Sequence, residues 1–332
     1  MLNLTPEAVW HLPDVELVNI LGSDVFSSMT NRIRFYAPGF MHYRTSRYSS
    51  ASVGFPTISV TGKACALKCK HCEGRVLDTM HPVATSEDLF ELCTRLKRKG
   101  AVGCLLSGGC LPNGSVPLNG FADAIGKIKR ELDLTVLVHT GIIGLRTAQI
   151  LKESGVDAAL IDVIGSDETI KEIYRLNMTI RDYDDSLKAL HESGLAFIPH
   201  VIVGLHHGRL KGELKALKMI SQYSPSALVI IAFMPIRGTA MEKTEPPRPV
   251  DIVRVTAVAR LMFPNTPLVL GCMRPRGRHQ RETDLLAIKA GVDAIAFPAE
   301  EAINFAEERG REVTFSPFCC SQVYSDIEHD FL

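Results

Sequence analysis

Three stretches with one shared pattern decide the fold: "ESGVDAALI" (153–161), "ESGLAFIPH" (192–200) and "KAGVDAIAF" (289–297). In each, an amphipathic segment ends at a glycine, and a run of apolar residues follows at once. Glycine is the residue that most easily ends a helix in the left-handed conformation. A continuous apolar run indicates a strand that is buried on both faces of a parallel sheet. The pattern therefore predicts helices that lead directly into buried strands.

Working outward, the same alternation gives eight strand–helix units between residue 55 and residue 310. Their apolar runs are "FPTISVT" (55–61), "GCLLSGG" (103–109), "LTVLVHTG" (134–141), "DAALIDVIG" (157–165), "AFIPHVIVG" (196–204), "ALVIIAFMPIRG" (227–238), "PLVLGCMRPRG" (267–277) and "DAIAFP" (293–298). Eight units favour an α/β fold of the (β/α)8 TIM-barrel type over a doubly wound open sheet. In such barrels the site lies at the carboxyl ends of the strands.

The segments outside the eight units lack this alternation. We expect residues 1–54 to form a helical extension, residues 55–310 to form the barrel, and residues 311–332 to form a tail. The tail contains Cys319 and Cys320, and we expect it to pack on the barrel. Its cysteines are candidate ligands of an auxiliary metal cluster.

Composition excludes several classes of function. Lysine plus arginine and aspartate plus glutamate both number 37, so a net charge of zero argues against a nucleic-acid partner. The apolar runs are too short to span a membrane. The opening "MLNLTPEAVW" lacks the pattern of a signal peptide, so we expect a cytoplasmic protein. In that compartment the nine cysteines are expected to be reduced thiols rather than disulfides.

A cysteine-rich stretch follows the first barrel strand: "TGKACALKCKHCEG" (61–74), with Cys65, Cys69 and Cys72 in a C-x3-C-x2-C spacing. A cubane iron–sulfur cluster has four irons, each normally held by a thiolate. Three cysteines leave one iron open for a substrate or cofactor. The alternative is a zinc site with a fourth ligand such as His71, which is disfavoured because His71 directly precedes Cys72.

The spacing and its place after a strand resemble the radical S-adenosylmethionine (SAM) superfamily. The resemblance implies a [4Fe-4S] cluster whose open iron binds the amino and carboxylate groups of SAM. An electron, delivered by a donor of the ferredoxin or flavodoxin type, then cleaves the sulfonium. The resulting 5′-deoxyadenosyl radical abstracts hydrogen from an unactivated carbon. His71 stands where the superfamily usually has an aromatic residue.

Other stretches are similar to the SAM-binding pattern of the superfamily. The resemblance assigns Ser107, Gly108 and Gly109 to the SAM amino group, with Cys110 where the family often has glutamate. Asp162 corresponds to a residue that takes the ribose hydroxyls, although a helix-capping role is nearly as well supported. The resemblance also implies that Gly204 and Met234 contact SAM near its adenine and that His71 contributes to the SAM site. His206 and His207 are better explained as solvated loop residues.

The other cysteines divide into two groups. Cys93 and Cys104 fall within a helix and a strand and are expected in the core. Four more lie at strand ends or in the tail and are candidates for a second iron–sulfur cluster, since thiolates suit such clusters: Cys110, Cys272, Cys319 and Cys320. Adjacent cysteines rarely bind one cluster together, and four ordinary buried thiols remain the alternative.

Two blocks narrow the resemblance to the biotin synthase group: "MPIRGTAME" (234–242) and "LGCMRPRGRHQRETDLLAIKAGVDAIAFP" (270–298). Members of that group carry an auxiliary cluster inside the barrel, with an arginine ligand on the seventh strand. Here Cys272 stands at about that place, with Arg274 and Arg276 just beyond. Because "LVHTG" and "PHVIVG" contain no cysteine, biotin synthase itself is not the best match.

The blocks "RFYAPGFMHY" (34–43) and "ISVTGKACALKCKHCEGRVLDTM" (58–80) are more similar to biotin-synthase-like proteins that form one half of a two-protein lipoyl synthase. That resemblance implies sulfur insertion, from a sacrificed auxiliary cluster, into an octanoyl chain on a lipoyl carrier protein. A second radical SAM subunit is then an expected partner. The alternatives are another radical SAM reaction, such as methyl transfer or rearrangement, and a cluster-binding redox partner without catalysis.

Overall fold

The computed structural model describes residues 4–39, 41–50 and 53–328. The strands are β1 (Arg32–Tyr36), β2 (Thr57–Ser59), β3 (His81–Pro82), β4 (Gly103–Ser107), β5 (Thr135–His139), β6 (Ala158–Asp162), β7 (Phe197–Val203), β8 (Leu228–Ala232), β9 (Leu268–Leu270), β10 (Ala294–Ala296) and β11 (Glu312–Ser316). The helices are α1 (Pro6–His11), α2 (Asp14–Ile20), α3 (Ser86–Arg98), α4 (Ala122–Leu132), α5 (Leu145–Glu153), α6 (Asp167–Thr169), α7 (Ile180–Ser193), α8 (Glu213–Ile220), α9 (Pro249–Met262), α10 (Arg278–Lys289), α11 (Glu300–Glu308) and α12 (Val323–Glu328).

The strands form one parallel sheet, in the order β11-β1-β10-β9-β8-β7-β6-β5-β4-β2-β3. The eight predicted barrel strands, β2 and β4 to β10, are neighbours in chain order, and helices separate them. The predicted α/β fold of the TIM-barrel type is therefore confirmed. No described helix is long and apolar enough to cross a bilayer.

Three pairing strands were missing from the sequence-based description: β1, β11 and the two-residue β3, which pairs with β2. Strand β1 pairs with β10, with Arg34 opposite Ala294, and its other edge pairs with β11. The predicted N-terminal helices are present as α1 and α2, but β1 follows them. Arginines at two of its five positions hide its apolar character, and β11 is only partly buried. Both strands therefore lack the continuous apolar run that marks a buried parallel strand.

The two edges of the sheet face each other without a described ladder between them. On one side Phe55 precedes β2, and on the other Phe318 follows β11; their ring centroids are 6.2 Å apart. A side chain at Gly54 would lie 3.3 Å from the Cβ of Pro317. Side-chain packing, rather than strand pairing, therefore closes this place in the ring, which we call the seam (residues 54–55 and 317–318).

Alternation along the strands separates two cores. Leu137, Leu160 and Ile198 belong to a cluster inside the ring, whereas Val138 and Ile161 belong to the cluster beneath the helices. Successive side chains of a strand point to opposite faces. His139, Asp162 and His200 each lie two residues after one of the inward-facing residues Leu137, Leu160 and Ile198. Because side chains alternate along a strand, all three point into the lumen.

The glycines of the opening stretches end their helices as predicted. Gly155, Gly194 and Gly291 have φ angles of 85°, 66° and 82°. Helix α7 also begins with a capping box between Thr179 and Asp182. Start and stop signals therefore fix where each helix returns the chain to the sheet.

Candidate functional site

The cysteine loop, residues 60–74, leaves the carboxyl end of β2 and is held in place by its neighbours. Its Ala66 N–H donates to the Cys110 carbonyl at 2.9 Å, and its Lys70 N–H donates to the Ile173 carbonyl at 2.8 Å. The Cys69 thiol lies 3.4 Å from the Tyr174 carbonyl. The three thiols are thus presented by a fixed loop on the face of the sheet where such barrels carry their sites.

A hydrogen bond shifts the pKa values of two thiols in this loop in opposite directions. A hydrogen bond from Cys69 lowers the pKa of the Cys72 thiol to about 4, although burial opposes the shift. The same hydrogen bond, with burial, raises the pKa of Cys69, so the first thiolate forms on Cys72. Nδ1 of the neighbouring His71 is buried without a hydrogen-bond partner among the described residues. Since thiolates are the ligands of iron–sulfur clusters, this loop fits such a cluster.

Gly109 lies directly against the cysteine loop. A Cβ there would lie 1.9 Å from the Ala64 carbonyl oxygen and 2.6 Å from the Cys65 Cα. The Gly109 N–H donates to Thr61 Oγ1 at 2.7 Å, which joins the two segments. Glycine is therefore required at this position, because any side chain would displace the backbone that carries Cys65.

Gly109→Ala is expected to lower the cluster occupancy of the purified protein, since the added methyl group must push Cys65 out of place. Overpacking of this kind costs about 1–3 kcal/mol of stability. Iron per chain after anaerobic reconstitution is the measurement. Gly120→Ala is the matched control, because nothing lies within 4 Å of a Cβ at Gly120. Equal iron content in the two variants would contradict the expectation.

The far end of the cysteine loop contacts the turn after β8. Glu73 Oε1 accepts from the Ala240 N–H at 3.0 Å. The guanidinium of Arg75 lies against Gly238, with Nη2 2.7 Å from where a Cβ would be. The turn begins near Met234, which was predicted to line the adenine site. The loop therefore bridges the ends of strands β2 and β8.

Gly204, another predicted SAM contact, directly follows strand β7 in the left-handed conformation that glycine adopts readily, with φ at 72°. A buried carboxylate secures this turn: Glu213 accepts from the Gly204 N–H at 2.8 Å and from the Lys211 N–H at 2.6 Å. Burial raises the pKa of Glu213 to about 7 despite these bonds. Nothing in the sequence distinguishes Glu213, because a glutamate at a helix start is ordinary.

The raised pKa of Glu213 predicts a pH dependence of stability. Between its ordinary value of 4.5 and about 7 the folded state binds the proton more tightly than the unfolded state. Stability must therefore fall as pH rises through this window. From pH 5 to pH 8, we expect the free energy of unfolding of the wild type to fall by about 2–3 kcal/mol relative to that of Glu213→Gln. Urea unfolding at both pH values measures this difference. Glu131→Gln, at an exposed position, is the control, and its stability should change with pH as that of the wild type does.

Three side chains meet in the lumen: His139 at the end of β5, Asp162 at the end of β6, and His200 within β7. Of these, only Asp162 was predicted as a site residue. Their ligand-type atoms all lie within 4.8 Å of one another. Burial opposes ionisation of both partners, but the close charges raise the pKa of His139 and lower that of Asp162. Burial lowers the pKa of His200 to about 4. Neither histidine was predicted as a site residue from the sequence, although the alternation along each strand directs both side chains inward.

The four cysteines proposed for a second cluster fall in two places. Burial raises the pKa of Cys110 to about 12, and its charged neighbours are Cys65, Asp162 and Cys72. Cys272 and Cys319, by contrast, influence each other and pack against the lumen cluster. The structure therefore places Cys110 beside the cysteine loop and the other candidates together near β9 and β11.

Within the second group the two adjacent tail cysteines differ. A hydrogen bond from Cys320 lowers the pKa of Cys319 to about 7, against the effect of burial. Cys320 itself is 5% exposed and belongs to the lumen core. Its pKa is raised by the hydrogen bond to Cys319 and by burial. Cys319 is thus the more available thiolate of the pair.

Arg274 is fully buried and engaged in structural bonds. Its Nε and Nη2 donate to the Asp284 carboxylate at 2.7 and 2.9 Å. Its Nη1 donates to the carbonyls of Gly271 and Ala296. These bonds join the ends of β9 and β10, so Arg274 has a structural role beside Cys272. Arg276, in contrast, is exposed and lies over the Phe297 ring.

The remaining residues singled out from the sequence lie away from the lumen thiols. His207 pairs with Glu172 at 2.7 Å, and His206 Nδ1 is 3.2 Å from Thr169 Oγ1. Cys93 and Cys104 are buried together beneath the helices, close enough to hydrogen-bond. These contacts agree with surface pairing for the histidines and core packing for the two cysteines.

Comparison with known proteins gives two family matches. The Radical SAM superfamily profile matches residues 59–209, and that of the Biotin and Thiamin Synthesis associated domain matches residues 230–314. A biotin synthase of Neorickettsia sennetsu is 27% identical over 72% of this chain and 74% of its own length. One of Prochlorococcus marinus is 25% identical over 72% and 73%. The crystal structure of methylornithine synthase superimposes with a TM-score of 0.64, covering 98% of this chain and 95% of that one at 15% identity.

Proposed function

Because the chain belongs to the radical SAM superfamily and is biotin synthase-like, we propose that it inserts sulfur into a protein-bound octanoyl chain. The sulfur comes from an auxiliary iron–sulfur cluster, and the acceptor is the lipoyl carrier protein. The family implies a [4Fe-4S] cluster, SAM and an electron donor. We expect that donor to be of the ferredoxin or flavodoxin type, and a second radical SAM subunit to complete the reaction.

The observation that carries this proposal is the presence of two separate thiol groups around one lumen. The first is the cysteine loop with its ionised Cys72. The second is formed by Cys272 and Cys319, of which Cys319 ionises near neutral pH. A sulfur-inserting enzyme needs one cluster to activate SAM and a second source of sulfur. The lumen mouth also suits a long, flexible acyl-lysine.

Different residues of the chain would hold the first cluster, SAM and the sulfur donor. Cys65, Cys69 and Cys72 would hold the first cluster, which together with SAM supplies the electron transfer and hydrogen abstraction characteristic of the superfamily. Ser107, Gly108 and Gly109 would bind the SAM amino group beside it. Asp162 would take the ribose hydroxyls, and Gly204, Met234 and His71 would line the remainder. Cys272 and Cys319, with Cys110 and Cys320 as further candidates, would hold the sulfur donor.

Anaerobic incubation with SAM, a reductant and octanoylated carrier protein tests the proposal. We expect the carrier to gain the mass of sulfur and 5′-deoxyadenosine to accumulate. Cys319→Ala should still form 5′-deoxyadenosine but no thiolated carrier. If the carrier mass never changes, even with the candidate second subunit present, the octanoyl assignment is wrong.

Formation of biotin is a second candidate, favoured by the names of the relatives. The same assay with the sulfur-free precursor of biotin separates the two acceptors. Against this candidate, the lumen presents His139 and His200 on β5 and β7, where the chain has no cysteine. We therefore expect no biotin, and its appearance would decide in favour of this second function.

A further inference from the structure

We propose that His139, Asp162 and His200 form a binding site for a single divalent transition-metal ion, separate from either iron–sulfur cluster. This lumen triad joins three neighbouring strands: His139 and Asp162 end β5 and β6, and His200 lies within β7. Two imidazoles and one carboxylate form a ligand set that binds Fe²⁺, Co²⁺ or Zn²⁺ and leaves positions open for a further ligand.

The distances within the lumen triad fit a shared ion better than a simple ion pair. His139 Nε2 and Asp162 Oδ1 are 3.4 Å apart, longer than the roughly 2.7–2.9 Å of a charge-assisted hydrogen bond. Two ligands at tetrahedral angles, each about 2.0–2.1 Å from zinc, are about 3.3 Å apart. All three ligand-type atoms lie within 4.8 Å of one another. The three atoms are therefore close enough for one ion to be shared once the side chains adjust to the metal–ligand distances.

The orientation of His200 supports the same site. Its Nδ1 lies 3.1 Å from the Ile198 carbonyl oxygen, which can only accept, so Nδ1 carries the proton. Nε2 is then the unprotonated nitrogen, with a lone pair available to a metal. Metal-binding histidines commonly have their other nitrogen fixed by a carbonyl in this way. His200 is only 8% exposed, so its ring is held where the strand places it.

The chemistry of the three side chains also suits a cation. The carboxylate of Asp162 supplies one negative charge to a divalent ion. The two imidazoles bind metals in their neutral form, so they add ligand atoms without adding positive charge.

Cobalt binding tests the site without relying on catalysis or on the proposed acceptor. The full chain, without an affinity tag, is prepared iron-free with the cysteines proposed as cluster ligands replaced by alanine: Cys65, Cys69, Cys72, Cys110, Cys272, Cys319 and Cys320. Titration with Co²⁺ is followed by its visible absorption bands. We expect one Co²⁺ per chain, and affinity reduced by roughly 100-fold or more in His139→Asn and His200→Asn. His191→Asn, at an exposed histidine, is the matched control and should bind as before.

Unchanged Co²⁺ affinity in both lumen variants overturns the proposal and leaves the three residues as a hydrogen-bonded group. If the variant without the proposed cluster ligands does not fold, the same histidine substitutions are made in the reconstituted wild-type chain. Cobalt retained after desalting is then measured by elemental analysis, with iron measured alongside. Loss of cobalt with iron unchanged supports the separate site, whereas equal cobalt in variants and wild type refutes it. Neither outcome depends on which substrate receives sulfur.

Discussion

Replacing Cys65, Cys69 or Cys72 with serine is expected to reduce 5′-deoxyadenosine formation to background. Each thiolate would hold a different iron, and a serine hydroxyl does not replace a thiolate as a soft ligand. The measurements are iron and sulfide content and SAM cleavage, all under anaerobic conditions. With the auxiliary cluster intact, about four irons per chain should remain in the triple variant, against about eight in the wild type.

The control for this experiment lies in the same chain. Cys93→Ser changes a buried cysteine beneath the helices, so it tests whether loss of any buried thiol removes iron. We expect its iron content to equal that of the wild type. A triple variant without iron would show that Cys110, Cys272, Cys319 and Cys320 hold no second cluster. Normal SAM cleavage by any single variant would instead remove the cysteine loop from the reaction.

Arg274→Leu is expected to destabilise the fold by about 3–5 kcal/mol, because it leaves the Asp284 carboxylate buried without its partner. Both side chains are 0% exposed. Carbonyl groups at the ends of β9 and β10 also lose their donor. Denaturation by urea, with the midpoint and slope determined together, measures the change.

Arg281→Leu is the matched control for the buried pair. Arg281 and Glu301 form an ion pair at 3.2 Å, but their side chains are 52% and 48% exposed. Exposed pairs contribute only about 0–1 kcal/mol. If Arg274→Leu and Arg281→Leu destabilised the protein equally, burial would not explain the contribution of the Arg274–Asp284 pair to stability.

The repeated helix–glycine–strand pattern was sufficient to predict the eight inner strands, because parallel strands covered on both sides must be continuously apolar. The cysteine loop stood out in the sequence as well, since its three thiols lie within a stretch of eight residues. Strand β1 could not be predicted in this way. Its alternating arginines interrupt the apolar run, and its partners lie more than 250 residues away in β10 and β11.

The lumen residues show the same limit. Asp162 was identified through a family resemblance, whereas His139 and His200 were visible only as single polar residues at strand ends. Their proximity depends on register, since β5 pairs with β6 and β6 pairs with β7 in a stagger that brings the three ends together. Glu213 escaped prediction for a related reason. Its role depends on a turn that only the folded chain places above the carboxylate.

The seam between residues 54–55 and 317–318 is the place where the ring can be strained without breaking a ladder. Among the described strands, no ladder hydrogen bond crosses it, and the contact between Phe55 and Phe318 bridges it instead. The tail beyond the seam is anchored, because the Tyr324 hydroxyl donates to the Asp157 carbonyl and the Tyr36 hydroxyl donates to Asp326. Cys319 lies between the seam and these anchors, so a displacement at the seam would move the Cys319 thiol while the end of the tail stayed in place.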